Sequence, residues 1–159
     1  MKSVEINKAI SASEFFAGKE LIAEYAASLG IDLCFQNFTE ELANLTEMYA
    51  PPDGGLLLAR MADELVGCVA IRRLDVSTCE MKRLYVRSKY QGRGAGRHLA
   101  KAAIECAQRL GYTRMVLDTL SSMTSAQALY RSLGFKETSS YYPNPLSDAQ
   151  YMALDLGEV

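Results

Sequence analysis

Three glycines in five residues constrain this chain more than any other feature: Gly92, Gly94 and Gly96, within Gln91-Gly92-Arg93-Gly94-Ala95-Gly96. A strand-like run (Leu84, Tyr85, Val86) precedes them, and a helix-like run from Arg97 to Leu110 follows. Glycine admits left-handed backbone and close approach, so such a loop can turn its N–H groups inward. A helix beginning at the same place adds unpaired N–H donors and the positive end of its dipole. The natural guest is a phosphate. A P-loop would need GxxxxGK followed by Ser or Thr, and the sequence has none. A dinucleotide fold would need a third glycine where Arg97 stands, and a loop after the first strand, not the fourth.

At 159 residues the chain reads as one domain, 1–159, able to bury roughly two-thirds of its unfolded surface. A net charge of -2 argues against a dedicated nucleic-acid binder. The first nine residues carry charge without an apolar centre, and no apolar run approaches the ~20 residues of a membrane span. The expectation is a cytoplasmic protein with neither nucleic acid nor membrane as partner. Cys34, Cys68, Cys79 and Cys106 show no CxxC spacing and read as reduced, buried small hydrophobes. No cluster of His, Asp and Glu points to a metal.

Along the chain, Val4 and Ile6 alternate with Glu5 and Asn7 in a first strand. Ser13 is the expected N-cap of a helix carrying Phe15, Leu21, Ile22, Tyr25 and Leu29, closed by Gly30. Thr39 opens a second short helix through Tyr49, ended by Pro51-Pro52-Asp53-Gly54. Residues 56–60 and 65–74 form a hairpin around Ala62-Asp63-Glu64, and 79–87 follow as a third strand in this run. After the glycine loop and its helix come a buried-type strand at 114–120, a helix at 124–133 and Gly134. Strands at 135–142 and 150–156 flank Pro143-Asn144-Pro145. The order is strand, two helices, three strands, helix, strand, helix, two strands: a mixed α/β domain.

Gln91 to Gly96, closing a strand and opening a long helix, resembles motif A (Gln/Arg-x-x-Gly-x-Gly/Ala) of the GNAT superfamily of N-acetyltransferases. Downstream, Leu129-Tyr130 followed by Leu133-Gly134-Phe135 is similar to the family's Leu-Tyr-x-x-x-Gly-Phe signature. The resemblance covers essentially the whole chain. It implies a single-domain GNAT-like α/β fold: a central, mixed, mostly antiparallel sheet of about seven strands flanked by four helices. A splayed parallel pair, 79–87 and 114–120, would hold acetyl-CoA as acyl donor. The family's pyrophosphate contacts carry over to Gln91, Gly92, Arg93, Gly94, Ala95, Gly96 and Arg97. Its pantetheine contacts carry over to the run Leu84, Tyr85, Val86, through the main chain of Leu84 and Val86. One departure stands out. Met123 occupies the place, seven residues before Tyr130, where many members carry an Asn on the cofactor. That contact is lost or comes from Ser121, Ser122 or Ser125.

Acetyl transfer to an amine needs a base for the ammonium, a donor for the oxyanion and an acid for the leaving thiolate. Glu80 lies eleven residues before Gln91, where several family members carry a glutamate that acts directly or through water. Simple alternation puts Glu80, Lys82, Leu84 and Val86 on one strand face. The alternative is a glutamate paired with Lys82 or Arg83. Tyr130 matches the family tyrosine near the cofactor sulfur, and a phenol stays protonated at neutral pH; the alternative is a packed aromatic. The Leu84 N–H is the implied oxyanion donor if the two strands splay. His98 reads as surface or helix packing.

The acceptor side maps to two aromatic- and amide-rich loops, giving Phe35, Asn37, Tyr142 and Asn144 as substrate contacts. Arg83, with Arg72, Arg73 and Lys82, would favour an acceptor bearing a carboxylate or phosphate if these cations face the pocket. The expected activity is direct transfer to a small-molecule amine, an amino acid or a derivative. Acetylation of a protein or peptide amine and non-catalytic acyl-CoA sensing are the alternatives. The final strand, if exposed, could pair with a second copy as a homodimer.

Overall fold

The chain enters its fold through β1 (Val4–Lys8), whose end leads into a reciprocal cap. The Glu14 N–H donates to Ser11 Oγ at 3.2 Å while the Ser11 N–H donates to Glu14 Oε1 at 3.0 Å. This capping box starts α1 (Ala12–Leu29), so the cap is Ser11, two residues before the serine expected. The structure, a computed structural model, describes residues 3–29, 38–144 and 146–157. The expected close of the helix at Gly30 lies outside these residues.

The second expected helix is two short ones, α2 (Phe38–Ala43) and α3 (Leu45–Met48). Asn44 separates them: its side chain donates to Glu40 O at 3.2 Å and its backbone leaves the helical region. The described helices are therefore five, not four. Strands β2 (Gly55–Met61) and β3 (Glu64–Arg73) form the hairpin, and β4 (Thr78–Val86) follows a turn tied by Asp75, whose Oδ1 accepts the N–H groups of Ser77 and Thr78. Then come α4 (Ala95–Arg109), β5 (Arg114–Leu120), α5 (Thr124–Ser132), β6 (Lys136–Thr138) and β7 (Ala149–Asp155).

One seven-stranded sheet runs in the order β1-β2-β3-β4-β5-β7-β6. Every pairing is antiparallel except that of β4 with β5. The mixed, mostly antiparallel sheet expected from the resemblance is present. The final strand, β7, is enclosed by β5 and β6, so the edge it was expected to offer a second copy belongs to β6 instead. On one face of the sheet α4 and α5 bury Leu99, Ala103 and Tyr130 against Ile71, Met81, Met115 and Leu117. On the other, α1 and α3 bury Leu21, Ile22, Leu45 and Tyr49 against Leu56, Leu58 and Ala70. Each fully buried leucine contributes about 1.5–3 kcal/mol, which holds the sheet as a rigid floor.

Two irregularities in β4 shape what lies above that floor. The parallel ladder with β5 has three rungs, Thr78↔Arg114, Cys79↔Met115 and Glu80↔Val116, and then the strands diverge. The ladder with β3 slips between Cys68 and Ala70, where Arg83 takes a φ of 59° and one residue of β4 goes unpaired. This bulge reverses the facing of side chains. Cys79 and Met81 face α4, so Glu80 and Lys82 face α1 and α2; past the bulge, Leu84 and Val86 face α4. The expectation of one shared face for Glu80, Lys82, Leu84 and Val86 is overturned, because simple alternation fails across a bulge.

Candidate active site

At the end of β4 a 3-10 turn, Ser88–Tyr90, delivers the chain to the glycine loop. Gln91 anchors it, donating from Nε2 to Val86 O at 3.0 Å. Gly92 and Gly94 take φ of 81° and 85°, left-handed values that side chains with a Cβ resist, and Gly94 is the N-cap of α4. Among the described residues, no backbone N–H from Gly92 to Arg97 reaches a carbonyl of the chain. The first to do so is that of His98, which donates to Gly94 O at 3.0 Å. A Cβ built on Gly92 would meet nothing within 4 Å, and one on Gly96 would touch only Val86 and Leu129 at ordinary distance. The glycines thus keep open a space that the protein itself does not fill. Unpaired donors, a helix N-terminus and that space fit a phosphate-bearing group. The nearby side chains do other work: Arg97 donates to Ser132 Oγ at 2.9 Å, Arg93 lies over the Tyr90 ring, and the His98 ring meets Gly94 O at 2.7 Å.

Where β4 and β5 part, they leave a cleft of about 780 Å³, the open space at its mouth included. Met81, Lys82, Arg83 and Leu84 line one wall, Asp118 to Leu120 the other, and Tyr130 of α5 reaches in between. Burial pushes the Tyr130 hydroxyl well above its ordinary value, so it stays a proton donor. Met123 also lines the cleft and takes a contact from Thr119 Oγ1 on its sulfur at 3.5 Å. Ser121 is turned to Asp148.

An ionic array backs the cleft and reaches its lining at Lys82, Arg83 and Asp118. Glu41 of α2, 1% exposed, accepts from Arg83 Nε at 3.0 Å and Nη2 at 2.7 Å, and from the Tyr49 hydroxyl at 2.9 Å. Burial alone would raise its pKa, but the hydrogen bonds and charge of Arg83 outweigh that and hold it below 4.5. Phe38 stacks on the same guanidinium. Lys82 Nζ lies 3.7 Å from Glu41 Oε1, and burial lowers its pKa. Glu80, 2% exposed, gives Oε1 to Arg72 Nε at 2.7 Å and Oε2 to the Tyr141 hydroxyl at 2.5 Å. It stands behind the described cleft wall, not in it. On the facing strand, the Tyr142 hydroxyl donates to Asp118 Oδ2 at 2.6 Å, and Asn144 Nδ2 donates to that same hydroxyl at 3.0 Å.

The residues expected from the sequence are therefore brought together unevenly. Leu84, Tyr130 and Arg83 meet in the cleft, and the glycine loop forms its cradle where Gly96 lies beside Val86 and Leu129. Tyr85 turns away, its ring against Tyr25 and its hydroxyl 3.4 Å from Glu24. Tyr142 and Asn144 reach the cleft through Asp118. Phe35 and Asn37 lie outside the described residues, as does Cys34. Asp118 and Glu41 as parts of the site were missed, and of the four cations named from the sequence Lys82 and Arg83 line the cleft. A signal existed for Asp118, a lone acid in the apolar run Met115-Val116-Leu117. None existed for Glu41, which reads as an ordinary early-helix acid.

The architecture and the two motifs define a protein class, and comparison with known sequences agrees. The acetyltransferase (GNAT) family profile matches residues 20–135. An N-acetyltransferase of Schizosaccharomyces pombe is 45% identical over 144 residues, covering 88% of this chain and 87% of its own. The chain belongs to the GNAT family and is an acyltransferase. N-acetylaspartate synthetase of Danio rerio is 34% identical over 106 residues, 64% of this chain and 38% of that protein. An acetyltransferase structure from Salmonella typhimurium, solved with acetyl-CoA, shares the fold with a TM-score of 0.70, at 22% identity over 99% of this chain and 96% of that one. Among the described residues no helix is long and apolar enough to cross a membrane, and no group of three or more His, Cys, Asp or Glu side chains could hold a metal.

Proposed function

We propose that the chain transfers the acetyl group of acetyl-CoA to the amine of a small molecule, directly, in a ternary complex. The observation that carries this reading is the convergence of three features at the β4–β5 divergence: the cradle, the open strand edge and the Tyr130 hydroxyl. Bound acetyl-CoA would supply a thioester carbonyl open to attack. The N–H groups of Gly92 to Arg97 would hold its diphosphate, and the main chain of Leu84 and Val86 its pantetheine arm. The Leu84 N–H would donate to the oxygen that gains charge, and Tyr130 would give its proton to the departing sulfur. Glu80, bonded to Arg72 and the Tyr141 hydroxyl, would act by holding Tyr141 in place.

A covalent relay through cysteine is not favoured. Cys68 and Cys79 are buried, and burial pushes both thiols up to about 12, far from the thiolate such a relay needs. Buried, unpaired thiols also suit a cytoplasmic setting. A small acceptor, an amino acid or a derivative, suits a cleft walled by buried charge, and the name of the Danio rerio relative points the same way.

Free-CoA release from acetyl-CoA, measured across a panel of amines, tests the reading. Tyr130→Phe should lower kcat by about 10²–10⁴-fold at unchanged acetyl-CoA affinity. Tight acetyl-CoA binding without turnover on any amine would make the chain a sensor instead.

A further inference from the structure

We propose that the acceptor carries a carboxylate beside its amine, with Lys82 taking the carboxylate and Asp118 the ammonium. The proposal rests on the acetyl-transfer reading above and adds the chemistry of the acceptor.

Lys82 and Asp118 line the same cleft from opposite walls, one on β4 and one on β5. Lys82 is 9% exposed, and its Nζ lies 3.7 Å from Glu41, beyond hydrogen-bond reach. Glu41 is already committed, with both oxygens on Arg83 and a third bond from Tyr49. Glu41 thus serves two buried cations. Glu80, whose charge also acts on Lys82, is held by Arg72 and Tyr141. Among the described residues no acceptor lies within hydrogen-bond reach of the Lys82 ammonium where it opens to the cleft. Of the other cations named from the sequence, Arg72 is engaged with Glu80 and Arg83 with Glu41, and Arg73, half-exposed, does not line the cleft. A buried ammonium short of hydrogen-bond acceptors is costly, and an incoming carboxylate supplies them.

Across the gap Asp118 offers the opposite charge. Its pKa is raised, by burial first, and the Tyr142 hydroxyl on Oδ2 only partly offsets that. A carboxylate with raised affinity for protons, open to the cleft, is suited to receive an ammonium and take its proton. Glu80 is worse placed, since it does not line the cleft. An amino acid carries the two required groups on neighbouring atoms. The protons balance. The acceptor ammonium loses two: one passes to Asp118 and then to solvent. The other leaves nitrogen as the C–N bond replaces the C–S bond and restores Tyr130, which has given its own proton to the departing thiolate.

The experiment measures acetyl-CoA affinity by titration calorimetry, then thiol release with each of the twenty amino acids and its α-carboxamide. At least one amino acid should exceed its carboxamide by about 10–100-fold in kcat/KM, the value of a charge-assisted hydrogen bond. Lys82→Met should bring the pair close to parity at unchanged acetyl-CoA affinity, and Lys82→Arg should keep the preference. Asp118→Asn should lower kcat on both compounds. Equal turnover of acids and carboxamides overturns the proposal, as does turnover of neither by a protein that binds acetyl-CoA. If Lys82→Met does not fold, the wild-type comparison decides alone. Failure to bind acetyl-CoA overturns the acetyl-transfer reading, and the proposal with it.

Discussion

The glycine loop and the ionic array beside the β4–β5 cleft are built from different materials. The glycine loop is backbone: its donors are N–H groups, its shape is set by two left-handed residues, and its side chains look elsewhere. The array is side chain, a set of buried groups in which Glu41, Glu80 and Asp118 meet partners from distant segments. A backbone site tolerates exchange of its side chains but not of its conformation. A side-chain site does the reverse. The same contrast explains why the loop could be read from the sequence and the array could not.

The sharpest way to break the comparison is Glu41→Gln. Arg83 and Lys82 would be left buried without a countercharge, and unfolding free energy should fall by about 3–5 kcal/mol in urea titrations. A loss below about 1 kcal/mol would mean that the charges in this array are better solvated than their burial implies.

Next in size is Gly94→Val in the glycine loop. Left-handed backbone costs a residue with a Cβ roughly 1–2 kcal/mol. Acetyl-CoA affinity should fall on the order of 100-fold, the loss of one or two bonds to a charged group. Calorimetry separates that loss from the smaller change in stability.

Acid titration supplies a third contrast. The folded-state pKa of Glu41 lies below 4.5, so its stabilisation is present above that pH and is lost as pH falls through the depressed value. The wild-type stability curve should therefore drop more steeply below about pH 4.5 than that of Glu41→Gln. Parallel curves would remove Glu41 from the acid limb. The smallest effect belongs to Arg97→Ala: its bond to Ser132 is exposed, so acetyl-CoA affinity should change by less than about fivefold. A larger change would show that the cradle uses side-chain charge after all.

Strand and helix order, the glycine loop and Tyr130 were legible because each has a local signature: periodicity, left-handed glycines, motif spacing. The misses are non-local or chemically silent. Ser11 and Ser13 are equivalent caps until the reciprocal bond from Glu14 decides between them. Asn44 interrupts a helix whose apolar spacing continues across it. The insertion of β7 between β5 and β6 is a pairing choice with no residue of its own. Arg83 bears no mark of left-handed backbone, so the bulge was invisible, and with it the true facing of Glu80 and Lys82. Asp118 was visible as an oddity, but its tie to Tyr142 spans 24 positions.

That bulge has a further consequence. A strand counts in twos, and one unpaired residue resets the count. The two halves of β4 are thereby phased independently: the first turns Glu80 and Lys82 away from α4, the second turns Leu84 and Val86 toward it. Substitutions in one half need not disturb the other. Flattening that bulge with every residue retained would bring both halves into one count and turn Leu84 and Val86 toward the ionic cluster. Deleting the extra residue would leave their facing as it is.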